Sequence, residues 1–152
     1  MHNQIFLPIS INIADKKILV IGGGKAAWHK LGTLLLYTNE MTVIAPKIDT
    51  QIQNSGLTLK VKKFDPDDLD GAFLVYACVD SRDINQQIAD ECRKRNILCN
   101  ICDYPSGSDF VSPAIFKKDN MSVAVSSNGL NVKRSIGWRN KIKEVLNDQP
   151  DL

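Results

Sequence analysis

Short apolar runs alternate with polar segments of helical period through the first two thirds of the chain. "KILVIG" (17–22) has no polar side chain after its lysine, as fits a buried strand. From residue 25 to 37 the period lengthens, and Ala27, Leu31, Leu34 and Leu35 fall on one face of a helix. "MTVIAP" (41–46) predicts a second strand, stopped by Pro46. "LTLKVKKF" (57–64) alternates with period two, like a half-exposed edge strand. "DPDDLDG" (65–71) is a turn cluster, and "AFLVYACV" (72–79) is the continuous apolar run of a strand covered on both faces. Ser81 is placed to cap a helix over 81–96, on which Ile84, Ile88 and Cys92 recur every four residues. "ILCNICD" (97–103) reads as a further buried strand. This rhythm predicts an α/β fold, a Rossmann-like doubly wound parallel sheet with helices on both faces.

After Asp103 the pattern changes. "DFVSPAIFKKDNMSVAVSSNG" holds two β-rich runs around "KKDN", the mark of a hairpin, and Pro113 makes its first run an edge or irregular strand. Asn128-Gly129 punctuates the chain before a basic helix from about Asn131 to Leu146, and "NDQPDL" is expected to fray. A hairpin with so few local partners cannot bury both faces, so a homodimer is expected.

Composition narrows the class. With 152 residues, 43% hydrophobic and 24% charged, the chain is one globular domain, or one with a small appendage. That length buries a core without metals or disulfides. No apolar run approaches membrane-spanning length and the start lacks the pattern of a signal peptide, so the expected location is cytoplasmic, with no membrane partner. The net charge is +2, but seven basic residues (Lys117, Lys118, Lys133, Arg134, Arg139, Lys141, Lys143) against Asp119 and Glu144 give +5 over 110–145, leaving −3 elsewhere. Such an end fits either a solvated helix face or an anionic partner, nucleic acid or polyanionic small molecule. Trp138 is the lone aromatic on the basic helix, weak support for stacking on bases, so no nucleic acid is expected.

Cys99 and Cys102, in "CNIC", have the spacing of half a zinc site or of a redox motif. Their apolar setting equally suits cysteine packed as a small hydrophobe, as do Cys78 and Cys92. Without a second pair at ligand spacing, and with His2 and His29 distant in sequence, the structural reading is preferred and no metal site is expected.

Gly22, Gly24 and Ala27 match G-x-G-x-x-A between a strand and a helix. Gly22 permits the tight turn, Gly24 lets backbone approach a pyrophosphate, and Ala27 allows close helix–strand packing. The alternative is a glycine turn in a doubly wound fold that binds no nucleotide. The acid that usually grips a ribose is missing: Ala45, Pro46 and Lys47 hold its place, and Asp49 lies past it. Lys47 would suit a 2′-phosphate, so local chemistry leaves NAD and NADP open.

"LPISINIADKKILVIGGGKAAWHK", "TVIAP", "FDPDDLDGAFLVYACVDSRDIN", "ILCNICDYP" and "DFVSPAIFKKDNMSVAVSSNG", in this order and spacing, resemble the precorrin-2 dehydrogenase/sirohydrochlorin ferrochelatase family, the N-terminal module of siroheme synthase. Ala26 stands where that family has Val, His29 where Arg is common, and "LNVKR" where Thr/Lys-Ser-Pro often follows "SSNG". Family members continue with a helical region, relative to which this chain is truncated.

The resemblance implies NAD-dependent oxidation of precorrin-2 to sirohydrochlorin, in some members followed by insertion of ferrous iron to give siroheme. It implies cofactor contacts at Gly22, Gly23, Gly24, Lys25, Ala26, Pro46, Lys47 and Asp80. It gives Asp103 the role of a catalytic aspartate for both reactions, and Ser127 that of a serine phosphorylated in some related enzymes. It divides the chain into an NAD-binding Rossmann-like domain (1–105) and a dimerisation and substrate-cleft segment (106–152). The basic segment would then attract a polycarboxylate substrate. From the residues alone, Asp103 sits at the end of a buried strand, where a carboxylate either accepts a proton or caps the Tyr104-Pro105 turn. Two rival functions follow from the same residues: an NAD-binding regulatory module without turnover, and a nucleic-acid binder using the basic helix.

Overall fold

The computed structural model describes residues 4–148. They form two compact units, one of residues 10–110 and one of residues 4–9 with 111–148.

The larger unit holds five parallel strands, β1 (Lys17–Ile21), β2 (Met41–Ala45), β3 (Thr58–Val61), β4 (Ala72–Ala77) and β5 (Leu98–Ile101), in the order β3-β2-β1-β4-β5. Helices α1 (Lys25–Leu34), α2 (Thr50–Gln53) and α3 (Arg82–Lys94) connect them. Because strand side chains alternate, β1 sends Ile18 and Val20 to one layer and Leu19 and Ile21 to the other. The first layer is closed by Ala27, Leu31 and Leu34 of α1 with Ile52 of α2, the second by Ile88, Ala89 and Cys92 of α3. Leu19, Val20, Leu31 and Ile88 are fully buried, each worth about 1.5–3 kcal/mol of transfer free energy. β3 is the edge strand its alternation predicts, with Val61 exposed.

Two expectations shift. The first helix ends at Leu34 and not Tyr37, because Leu36 and Tyr37 donate to Thr33 and Leu34, tightening the last turn. Ile84 does not join Ile88 and Cys92 in the core: it is 45% exposed, and Asn85 is buried in its stead. Ser81 does cap α3, its hydroxyl accepting from the Ile84 amide. The Asp65–Gly71 cluster forms a 3-10 turn (Pro66–Leu69) closed by a reciprocal cap, the Asp65 carboxylate accepting from Asp67 and that of Asp68 accepting from Asp65.

The smaller unit is an antiparallel hairpin, β6 (Ala114–Lys118) with β7 (Met121–Val125), and α4 (Val132–Asp148). Asn131 caps α4 through the Arg134 amide, and Arg139 of α4 donates to the Ile115 carbonyl of β6 at 2.8 Å. Of the tail "NDQPDL", expected to fray, residues 149–152 lie outside the described residues.

Candidate nucleotide site

The carboxyl ends of β1, β2, β4 and β5 lie along one edge of the parallel sheet, the edge at which doubly wound folds bind ligands. After β1 the chain turns through Gly22, Gly23 and Gly24 into α1. The three glycines do different things. Gly22 has φ +129, and a Cβ there would overlap the carbonyl of Cys78, lying 2.6 Å from its carbon. A Cβ on Gly23 would overlap the Lys47 carbonyl and come 2.9 Å from the Ile48 Cα. A Cβ on Gly24 would meet no protein atom within 4 Å. The first two glycines are therefore required by the fold, and only the third opens onto the space in front of α1. Gly24 is also the N-cap of that ten-residue helix, with no side-chain cap and no acid in the first turn. The first-turn N–H groups, Lys25 and Ala26 among them, thus face outward with the positive end of the helix dipole.

The segment after β2 folds back onto this turn. The Asp49 amide donates to the Gly23 carbonyl at 2.8 Å, with Pro46, Lys47 and Asp49 exposed beside it and Ile48 buried beneath. Pro46, Lys47, Asp49, Thr50 and Gln53 line a cavity of about 850 Å³. By sequence spacing Asp49 lies near but past the expected place of the ribose acid; the backbone bond to Gly23 holds it beside the turn.

At the end of β4, Asp80 is exposed. Its position is set by Asn85, which the sequence reading passed over: the Asn85 amide donates to the Val79 carbonyl at 2.8 Å and accepts from the Val79 amide at 3.0 Å. A buried Asn four residues after a helix cap is a legible signal for such a brace.

At the end of β5, Asp103 is exposed with φ +62, a conformation that Asp tolerates better than most residues. Its carboxylate makes no hydrogen bond among the described residues. The following turn is held by Ser108, whose hydroxyl donates to the Tyr104 carbonyl at 2.9 Å and accepts from the Ile101 amide at 2.8 Å. Arg93 donates to the Gly107 carbonyl at 2.6 Å, and Arg82 lies over the Tyr104 ring at 3.9 Å. Lys30 of α1, another residue the sequence reading left aside, is half-buried with Asp103 as its nearby opposite charge. Burial pushes the Lys30 ammonium below the ordinary lysine range, and Asp103 partly offsets it.

The cysteines pair across the sheet and not within "CNIC". Residues 99 and 102 are an odd number apart, so their side chains leave β5 on opposite sides. Cys99 meets Cys92 in the α3 layer, and Cys102 forms a disulfide with Cys78, Cα atoms 5.1 Å apart. No cluster able to hold a metal ion is found among the described residues. In the smaller unit Ser127 is half-buried and its hydroxyl accepts from the Asn131 amide at 2.9 Å, at the start of α4. Arg134 lies over Trp138 and Lys143 over Phe116, so part of the basic segment is engaged within its own unit.

A glycine turn at a helix start, on the carboxyl edge of a parallel sheet, defines a Rossmann-like dinucleotide-binding protein. A family model described as "Putative NAD(P)-binding" matches residues 9–114. The chain belongs to this NAD(P)-binding family.

It is 34% identical over 145 residues to siroheme synthase 1 of Aeromonas hydrophila, covering 93% of this chain and 31% of that protein. It is 35% identical over 144 residues to the siroheme synthase of Enterobacter sp. strain 638, covering 92% of this chain and 32% of that one. The chain thus spans about a third of the length of the curated relatives it matches. Its fold is that of a solved precorrin-2 dehydrogenase, SirC, with a TM-score of 0.70 at 24% identity, covering 94% of this chain and 70% of that one. No helix among the described residues is long and apolar enough to cross a membrane.

Proposed function

We propose that the chain oxidises precorrin-2 to sirohydrochlorin, with Asp103 as the proton acceptor. The observation that carries this is an exposed, unbonded carboxylate at the same sheet edge as the glycine turn, in a chain homologous to siroheme synthases. NAD, when bound, supplies the hydride acceptor. Gly24 and the first turn of α1 hold the pyrophosphate, and Asp80, braced by Asn85, lines the cofactor's path. Asp49 favours NAD over NADP, since its carboxylate can accept hydrogen bonds from ribose hydroxyls and repels a 2′-phosphate; Lys47 and Pro46 flank the same cavity. Asp103 takes the proton released as hydride leaves the substrate. The balance is precorrin-2 and NAD⁺ giving sirohydrochlorin, NADH and a proton.

The name siroheme synthase on the relatives supports a second step at the same aspartate, in which Asp103 accepts pyrrole protons as ferrous iron, a substrate, enters the macrocycle. Exposed Met121, Leu130 and Trp138 in the smaller unit support a homodimer. Ser127 is the residue we assign to regulatory phosphorylation: a phosphate there would sit at the positive end of α4. A cytoplasmic location is consistent with the reduced substrate.

The test is single-turnover oxidation of precorrin-2 by the chain with NAD, followed by NADH absorbance, for wild type and Asp103→Asn. The variant should lose about 10²–10⁴ in rate while keeping its NAD affinity. An unchanged rate would remove Asp103 from the chemistry. NAD binding without any turnover by wild type would favour a regulatory module.

A further inference from the structure

We propose that the Cys78–Cys102 bridge is a thiol–disulfide exchange site through which small-molecule thiols set the nucleotide affinity of the glycine turn, an effect that rests on the cofactor reading above. Three observations converge on the bridge. Cys78 supplies the carbonyl against which Gly22 is packed, so one end of the bridge is the floor of the turn. Cys102 immediately precedes Asp103, so the other end is the base of the exposed carboxylate. The bridge joins the ends of neighbouring strands 24 residues apart in sequence, at the ligand-binding edge and away from the middle of the sheet.

The four cysteines differ sharply in access. Cys92 and Cys99 are fully buried in the α3 layer, where no reagent reaches them. The hydrogen bond with Cys92 and burial hold the Cys99 thiol well above the usual cysteine range, so its nucleophilic thiolate is suppressed. Cys78 is buried, whereas Cys102 is half-buried and is the sulfur open to attack. Exchange is therefore confined to one pair.

The chemistry closes with glutathione as the thiol. Its thiolate attacks the Cys102 Sγ, the Cys78–Cys102 bond breaks, and the electron pair passes to Cys78, which takes a proton. A second glutathione attacks the mixed disulfide and releases Cys102 as a thiol. One protein disulfide is reduced to two thiols while two glutathiones are oxidised to one glutathione disulfide, and excess glutathione disulfide runs the sequence backwards.

Opening the bridge leaves the sheet intact, because the Cys78 amide still donates to Ile21 at 2.7 Å and the Cys102 amide to Ala77 at 2.9 Å. What is lost is the tie between the segments that follow β4 and β5, including the backing of Gly22. The oxidised form holds the turn in its binding geometry and the reduced form relaxes it.

The experiment equilibrates the chain with excess glutathione or glutathione disulfide and counts alkylated cysteines by mass. NAD affinity and amide hydrogen exchange at residues 22–24 and 103–104 are then measured in each state. In the reduced state NAD should bind about fivefold more weakly, with faster exchange at both segments. Cys102→Ser should show neither response to glutathione. Equal affinity and equal exchange in two states verified by mass would overturn the proposal, as would a bridge that glutathione cannot open in the folded chain. If neither state binds NAD but exchange still differs, the exchange site stands and the nucleotide reading falls.

Discussion

Replacing Gly22 and Gly24 separately by alanine separates a glycine the fold needs from a glycine a ligand needs. At Gly22 the φ of +129 lies where L side chains are strained, at a cost of about 1–3 kcal/mol. The new Cβ must also displace the Cys78 carbonyl, which is backbone of β4's continuation and cannot swing aside, adding about 1–3 kcal/mol of overpacking. The expected total of about 2–6 kcal/mol is a large part of the roughly 5–15 kcal/mol that holds a domain folded. With a urea m-value of about 2 kcal/mol per molar, the midpoint should fall by about 1–3 M. At Gly24 the backbone is extended and the Cβ meets nothing, so the loss is confined to a poorer helix cap, about 1 kcal/mol at most. Its methyl group does fill the space where a pyrophosphate would approach, and NAD should bind about tenfold more weakly or worse, a change of about 1.4 kcal/mol. Urea unfolding by circular dichroism and NAD titration by calorimetry read the two effects independently. Equal destabilisation by both variants, or an undiminished NAD affinity in Gly24→Ala, would refute this division of labour.

Asp68 is buried, which works against its charge, but hydrogen bonds from Lys62 (2.6 Å) and the Asp65 amide (3.0 Å) outweigh burial and hold its carboxyl below the ordinary aspartate range. Its contribution is present above the unfolded pKa and disappears as pH falls through the lower folded one, so Asp68→Asn should cost about 1–3 kcal/mol at neutral pH and little in acid; a pH series of urea midpoints checks this. Lys30 shows the opposite sign: with its folded pKa lowered, the unfolded chain binds the extra proton, so stability gains with pH from the folded value up to the unfolded value near 10.5. Lys30→Met should therefore raise the urea midpoint at neutral pH, with the advantage over wild type shrinking as pH approaches that limit. In the smaller unit, Met121→Glu places a charge on an exposed apolar face and should shift sedimentation from dimer towards monomer without lowering the melting temperature of the sheet.

Much of the sheet was readable because its signals are local. Runs such as "KILVIG" and "AFLVYACV" state their burial in composition, and Pro46 ends a strand wherever it is placed. Ile84 misled because a four-residue repeat does not tell which end of an amphipathic stripe leaves the core. Asn85, polar and buried, is invisible to a hydrophobic pattern, since its value lies in two hydrogen bonds to Val79. Asp49 lies past the expected place of the ribose acid for a different reason: a fixed spacing from β2 ignores a loop that doubles back to donate to Gly23. The pairing of Cys78 with Cys102 depends on which strands are neighbours, and strand order is not written in any one stretch of sequence. Lys30 likewise gains meaning only once the fold brings it within charge reach of Asp103.

The two walls of the site are anchored to different neighbours. The nucleotide wall leans on the loop after β2 through the Gly23–Asp49 bond, whereas the segment after Asp103 is strapped to α3 by Arg93 and Arg82. Substitutions in the β2 loop therefore leave the Arg93 and Arg82 contacts in place, and the Cys78–Cys102 bridge is where the two walls meet. A lineage built on this scaffold can exchange its cofactor preference through the β2 loop while its acid stays in place, or redesign its chemistry around the acid while still holding the same dinucleotide.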